Sequence, residues 1–261
     1  MVAAKLEFLH AYSGKPAYRM SNSGQSFTST GEYRRHEVII EDARATDEVF
    51  SIDVQGFQLL NAPTVLENLE SRENIEKIYI PETLHILQRV MRPYWLKAID
   101  FTVRTTQCSA THRKPAPRVH NDYTENSAQR LFADQFGIQN AHPLNGRRGI
   151  QLNVWRAFTE PVLRLPLALA DARSIDRHDL VACDVIYPDR TGENYELLFR
   201  STQRWCYFRN MMRDEILLIK GYDSLEDGCA RFTPHSAFKS LHTPLSAPDR
   251  WSIEVRVLLL M

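Results

Sequence analysis

The sequence predicts a mainly β protein, a sandwich or double-sheet jelly roll with flanking helices, and three observations carry that prediction. From residue 99 onward the chain is a series of short runs rich in β-branched and aromatic residues, at 99–104, 118–122, 150–156, 165–170, 180–187, 195–199, 205–208, 216–222 and 251–260. Turn residues such as Pro161, Pro188, Gly192 and Gly228 separate these runs at close spacing, as in strands that fold back on one another. Helical periodicity is confined to a few stretches.

Taken in order, the first 13 residues contain Lys5, Glu7 and His10, so they lack the apolar core of a secretory signal. Residues 12–36, rich in Ser, Gly, Thr and Tyr, read as a loop-like arm. Strands are expected at 37–40 and 49–54, the second closed by Gly56. Residues 64–70 and 81–91 read as helices. In the second, Pro81 suits the first turn and Leu84, Leu87, Val90 and Met91 recur near one face. A helix at 125–136 interrupts the strand series. The expected organisation is an N-terminal α/β elaboration, 1–98, packed on a core of residues 99–261 as one structural unit.

A chain of 261 residues can bury such a core. Lys plus Arg number 32, as do Asp plus Glu, and that balance gives no basis for electrostatic nucleic-acid binding. The longest apolar runs, at 162–170 and 255–261, are too short to cross a bilayer. Cys108, Cys183, Cys206 and Cys229 form no CxxC pair and read as reduced thiols of a cytoplasmic enzyme. Gly-x-Gly occurs nowhere, which argues against a dinucleotide or phosphate loop and makes a methyltransferase the least favoured class.

The candidate chemistry lies on three strands. His120 and Asp122 are two apart on a strand-like run, where both point to one side and Asn121 points away. No other histidine has an acid two residues on. Spacing alone is better explained by a half-exposed histidine bonded to its neighbour. His235, in ARFTPHSAF, supplies a third candidate ligand. Two histidines and one carboxylate that leave half of a metal's coordination sphere open are the set used by non-haem Fe(II) oxygenases. In 250–261, Ile253, Val255 and Val257 take one face and Arg250, Ser252, Glu254 and Arg256 the other. The polar face either meets solvent or lines the jelly-roll mouth. In the second case Arg250 pairs with a carboxylate of a 2-oxoacid co-substrate, Ser252 adds a hydrogen bond, and Arg256 is the competing anchor. Gln151, Asn153 and Trp155 alternate onto one side of their strand as a polar cavity wall, with Trp155 equally suited to the core. Arg104, Arg156 and Arg204 are candidate substrate contacts that would also serve as partners of internal carboxylates.

The segments VIIEDAR, FSIDVQGFQLL, IYIPE, HNDYT, NVWRAF, PLALADARS, DLVACDVIYPDRTGENY, QRWCYF, DEILLIKGYDS, ARFTPHSAF and RWSIEVRVLL occur in this order over most of the chain. The sequence thereby resembles the fungal gibberellin-desaturase-like and AsaB-like hydroxylase/desaturases, often labelled CmcJ-like. The resemblance implies a double-stranded β-helix (cupin-like jelly roll) that uses Fe(II), 2-oxoglutarate and O2 in secondary metabolism. It implies His120, Asp122 and His235 as iron ligands and matches Arg250 and Ser252 to an Arg-x-Ser co-substrate anchor; Asn153 and Arg256, on the same strand faces, are expected to bind the cofactors as well. Ala157 stands where the family commonly has proline and Gln203 where histidine is frequent. The expected reaction is oxidation of an unactivated C–H bond of a small molecule, such as an amino acid or terpenoid acid, by hydroxylation, desaturation or ring closure, with release of succinate and CO2. Two rivals remain at this point: a redox-neutral cupin-like metalloenzyme and a non-catalytic partner subunit.

Overall fold

The computed structural model describes residues 1–20, 27–107, 109, 112–136, 144 and 146–261; Cys108 and residues 21–26 of the arm lie outside the described residues. In chain order the strands are β1 (Val2–Ala11), β2 (Ala17–Met20), β3 (Phe27–Ser29), β4 (Glu32–Asp42), β5 (Phe57–Asn61), β6 (Trp95–Thr105), β7 (His120–Asn121) and β8 (Gly149–Ala157). They continue as β9 (Leu167–Ala170), β10 (Leu180–Ile186), β11 (Thr191–Leu197), β12 (Trp205–Tyr207), β13 (Glu215–Asp223), β14 (His235–Ala237) and β15 (Trp251–Leu260). Among the described residues they form a ten-stranded sheet, β1-β4-β12-β9-β14-β7-β11-β10-β2-β3, and a five-stranded sheet, β5-β13-β8-β15-β6. The two curled sheets make the jelly roll that the sequence predicts.

The alternation read in two strands places the small sheet. Ile150, Leu152 and Val154 of β8 and Ile253, Val255 and Val257 of β15 turn outward into a buried apolar layer. That layer is completed by a single α turn, α1 (Arg72–Asn74), a π turn (Ile75–Tyr79) and the helix α2 (Ile80–Met91), through Ile75, Tyr79 and Leu87. Pro81 sits in the first turn of α2 but follows directly on the π turn, so it lies within one continuous helical stretch rather than at a free helix start. Trp155 turns inward to a second cluster between the sheets, with Phe57, Leu169, Leu217 and Ile219. The predicted helix at 125–136 is α3 (Glu125–Phe136), which buries Ala128 and Phe132 against Tyr222 and Leu258.

Residues 1–98 contribute strands to both sheets. The bridges Glu7–Arg118 and Leu9–Leu198 bring β1 back against the chain entering β7 and leaving β11. The large sheet therefore curls around Leu6, Phe8, Val119, Leu197 and Trp205.

Three local expectations are corrected. Residues 51–54 form a turn, in which Ser51 O accepts from Gln55 N at 3.0 Å and Gly56 N at 3.2 Å, and the strand begins only at Phe57. Residues 64–68 form no helix, because Glu82 of α2 accepts from Thr64 Oγ1 at 2.5 Å and Val65 N at 3.1 Å while Leu66 and Leu69 bury their side chains. The 12–36 arm contains β2, β3 and the start of β4. No helix among the described residues is long and apolar enough to cross a membrane.

Candidate active site

The site forms where β7 meets β14. His120 and His235 are directly opposite each other in antiparallel register, with ring centroids 4.8 Å apart. Each ring is held in the same way. His120 Nδ1 lies 2.8 Å from Arg118 O, and His235 Nδ1 lies 3.0 Å from Thr233 O. A carbonyl only accepts, so each Nδ1 carries the proton and each Nε2 keeps its lone pair for a metal. Asp122 Oδ1 lies 3.4 Å from His120 Nε2, and one ligand atom from each of the three residues lies within 4.8 Å of the others.

Asn121 points away from this point, as its strand parity predicts, and ties three segments together. Its amide donates to Tyr123 O at 2.7 Å and Gly221 O at 2.8 Å, and its Oδ1 accepts from Thr233 N at 2.9 Å. It thus fixes the chain on both sides of His120 and Asp122 and next to His235.

Electrostatics separate the three residues. Burial opposes charge on His120, but the Asp122 carboxylate overrides it and raises the pKa. His235 is pushed down to about 4 by burial and then by the neighbouring His120. Asp122, although buried, is held well below the usual carboxylate range by Arg256 and then His120. Two imidazoles and a carboxylate with free donor atoms turned together fit the donor set of a divalent non-haem iron.

Beside the triad is a cavity lined by Arg104, Trp155, Leu167, Ser236, Arg250 and Glu254 together with His120 and His235. Arg250 is 1% exposed and its Nη1 donates to Leu165 O, yet its buried Nε has no partner. Its guanidinium stands 5.5 Å from the Trp155 ring. Burial, then the nearby Arg104, pushes its pKa down to about 9. A buried cation with an unused donor fits an incoming carboxylate. Ser252 is also buried, with Oγ 3.5 Å from Arg104 O.

The remaining candidates distribute clearly. Arg256 is paired with Asp122 at 2.9 Å, Asp100 at 2.9 Å and Glu254 at 3.1 Å. Asn153 also donates to Asp122, at 2.8 Å, and Gln151 donates to Asn153 at 2.8 Å. Arg204 is engaged by Glu41, Glu48 and Asp171, so the structure does not bring it to the triad. Arg156 lies on the outer face and donates to Tyr79 Oη, Ala62 O and Arg213 O. Glu254 was legible as a site residue by parity with Arg250 and Ser252. Its pKa is raised by burial and then by Asp122. Glu196, opposite His120 across β11, had no sequence signal.

Over residues 6–260 the sequence matches the family described as oxidoreductase/YMDC permease-like domain. The chain belongs to this family. It is 29% identical to hydroxylase/desaturase efuI of Hormonema carpetanum, covering 87% of this chain and 84% of that one. It is 28% identical to the Fe(II)/2-oxoglutarate-dependent dioxygenase nvfI of Aspergillus novofumigatus (strain IBT 16806), covering 92% and 89%. Among solved structures, the iron and alpha-ketoglutarate-dependent endoperoxidase NvfI superposes with a TM-score of 0.87 at 26% identity, over 99% of this chain and 97% of that one. The resemblance read from the ordered sequence segments is borne out.

Proposed function

We propose that this chain is an Fe(II)/2-oxoglutarate-dependent oxygenase of the hydroxylase/desaturase type that acts on a small secondary metabolite. His120, Asp122 and His235 hold the iron, and Arg250 binds the far carboxylate of 2-oxoglutarate. One observation carries the reading: two imidazole Nε2 atoms and a carboxylate oxygen converge beside a buried guanidinium with an unused donor. Bound Fe(II), 2-oxoglutarate and O2 supply the power to oxidise an unactivated C–H bond, with succinate and CO2 formed.

The protein's own residues orient and exclude. The Nδ1–H bonds of both histidines fix which nitrogen faces the metal. Arg250 gains a counter-charge when a carboxylate arrives, and Ser252 stands two residues along the same face. Arg104 adds a second cation to the cavity, and Trp155 and Leu167 keep water from its wall. Gln151, Asn153 and Arg256 act behind Asp122 rather than in the cavity. The 1–98 and 99–261 segments work as one unit, in the cytoplasm, without a nucleic-acid partner.

The test is succinate formation by protein loaded anaerobically with Fe(II), then given 2-oxoglutarate and O2. Wild-type protein forms succinate in an iron-dependent way; His120→Ala and His235→Ala form none. Arg250→Ala raises the KM for 2-oxoglutarate by about 30-fold or more, as expected for loss of one partner of a buried charge pair. Succinate from either histidine variant overturns the ligand assignment. Dependence on metal without any use of 2-oxoglutarate moves the protein to the redox-neutral class.

A further inference from the structure

We infer that Asn153 and Arg256 are positioning residues that reserve one oxygen of Asp122 for the metal. The inference rests on the reading of His120, Asp122 and His235 as the metal ligands, and it assigns a task to residues outside that set. Asp122 Oδ2 accepts from Asn153 Nδ2 at 2.8 Å and from Arg256 Nε at 2.9 Å. Asp122 Oδ1 takes neither bond and faces His120 Nε2 at 3.4 Å. With two donors on Oδ2, the carboxylate ligates through Oδ1 alone. A carboxylate free to use both oxygens would occupy a coordination position that the co-substrate needs, since this donor set works by leaving positions open.

The two donors are themselves fixed. Asn153 and Arg256 are opposite each other in the register of β8 and β15. Gln151 Nε2 donates to Asn153 Oδ1 at 2.8 Å, so the Asn153 amide can only turn its NH2 toward Asp122. Gln151 in turn fills the space over Gly221, where a Cβ would lie 1.9 Å from Gln151 Oε1. Arg256 is steadied by Asp100 and Glu254. Both histidine ligands belong to the large sheet and all these supports to the small one. The spacing of the sheets thus reaches the metal through one carboxylate.

The experiment is Mn(II) titration of metal-free protein, without 2-oxoglutarate, followed by electron paramagnetic resonance. Wild type is compared with Asn153→Ala, Arg256→Lys, Gln151→Met and His120→Ala, and metal-free melting is recorded for each. Asn153→Ala and Arg256→Lys are expected to weaken Mn(II) by about 10- to 100-fold, the usual effect of losing a partner behind a ligand, with near-native melting. Arg256→Lys is chosen because it keeps the charge beside Asp122 and Glu254 while removing the Nε donor. Gln151→Met, which touches neither Asp122 nor the metal, weakens binding in the same direction and decides the matter if Asn153→Ala does not fold. Co(II) bound to the variants should show weaker visible absorption as the second oxygen joins. If His120→Ala loses the metal while the other variants bind within about twofold of wild type, the clamp is overturned and the ligand set stands. If His120→Ala binds like wild type, the ligand set itself falls.

Discussion

Glu196 shows what burial does to a single side chain in this site. It is 2% exposed, its Oε2 has no partner, and burial raises its pKa to about 7 from an ordinary value near 4.5. A raised carboxyl pKa means that the folded chain binds more protons than the unfolded chain between about pH 4.5 and 7. Its stabilising contribution is therefore complete below pH 4.5 and is lost as pH rises through 7. Glu196→Gln removes the charge that forms at high pH. We expect it to melt higher than wild type at pH 8 and close to wild type at pH 5, a difference on the order of 3 kcal/mol at most. Equal melting differences at the two pH values would show that Glu196 does not change its protonation between them. The contrast with His235, which burial drives the other way, to about 4, keeps that imidazole neutral and able to ligate near neutral pH.

Among the elements, the turn before β5 is tied to the His120, Asp122 and His235 cluster by one glycine. Gly56 has φ +89°, and a Cβ there would stand 2.1 Å from Thr233 Oγ1. Thr233 Oγ1 donates to Gly56 O at 2.9 Å, and Thr233 O is the acceptor that orients His235. Gly56→Ala should cost roughly 1–3 kcal/mol from the backbone conformation alone, read by urea denaturation, and should weaken Mn(II) binding because Thr233 must move. A loss of stability with unchanged metal affinity would separate the turn from the site. The same turn explains why the strand expected at 49–54 is not there. Its β-branched residues match a strand by composition, but Ser51 O gathers the backbone N–H groups of residues 54, 55 and 56. The 64–70 stretch went the same way, because a carboxylate on α2 captured its backbone. By contrast, 125–136 was legible to the residue, since a helix that buries one face declares its period locally.

Across the molecule, β1 closes the large sheet; its strand was not among the expected elements, although Val2, Ala4, Leu6 and Phe8 alternate with Lys5 and Glu7. Leu6 and Phe8 are fully buried, and Leu9 is 1% exposed. Glu7 O accepts from Val119 N at 2.9 Å, next to His120. Burial of each such side chain is worth about 1.5–3 kcal/mol, so together they approach the whole stability of a typical domain, about 5–15 kcal/mol. Removal of residues 1–11 is expected to abolish cooperative melting and Mn(II) binding together. A truncated chain that melts cooperatively would show the remaining strands to be self-sufficient. The sequence by itself determined the jelly-roll class and the division of β8 and β15 into two faces, because strand parity is a local property; it left open which face turns inward, and the His120, Asp122 and His235 set rested on the ordered segments of the resemblance rather than on spacing. Only the tertiary structure decided that Arg250 keeps an unused donor while Arg256 and Asn153 spend theirs on Asp122. Which cation meets which carboxylate depends on how two sheets are stacked, and no spacing along one strand records that.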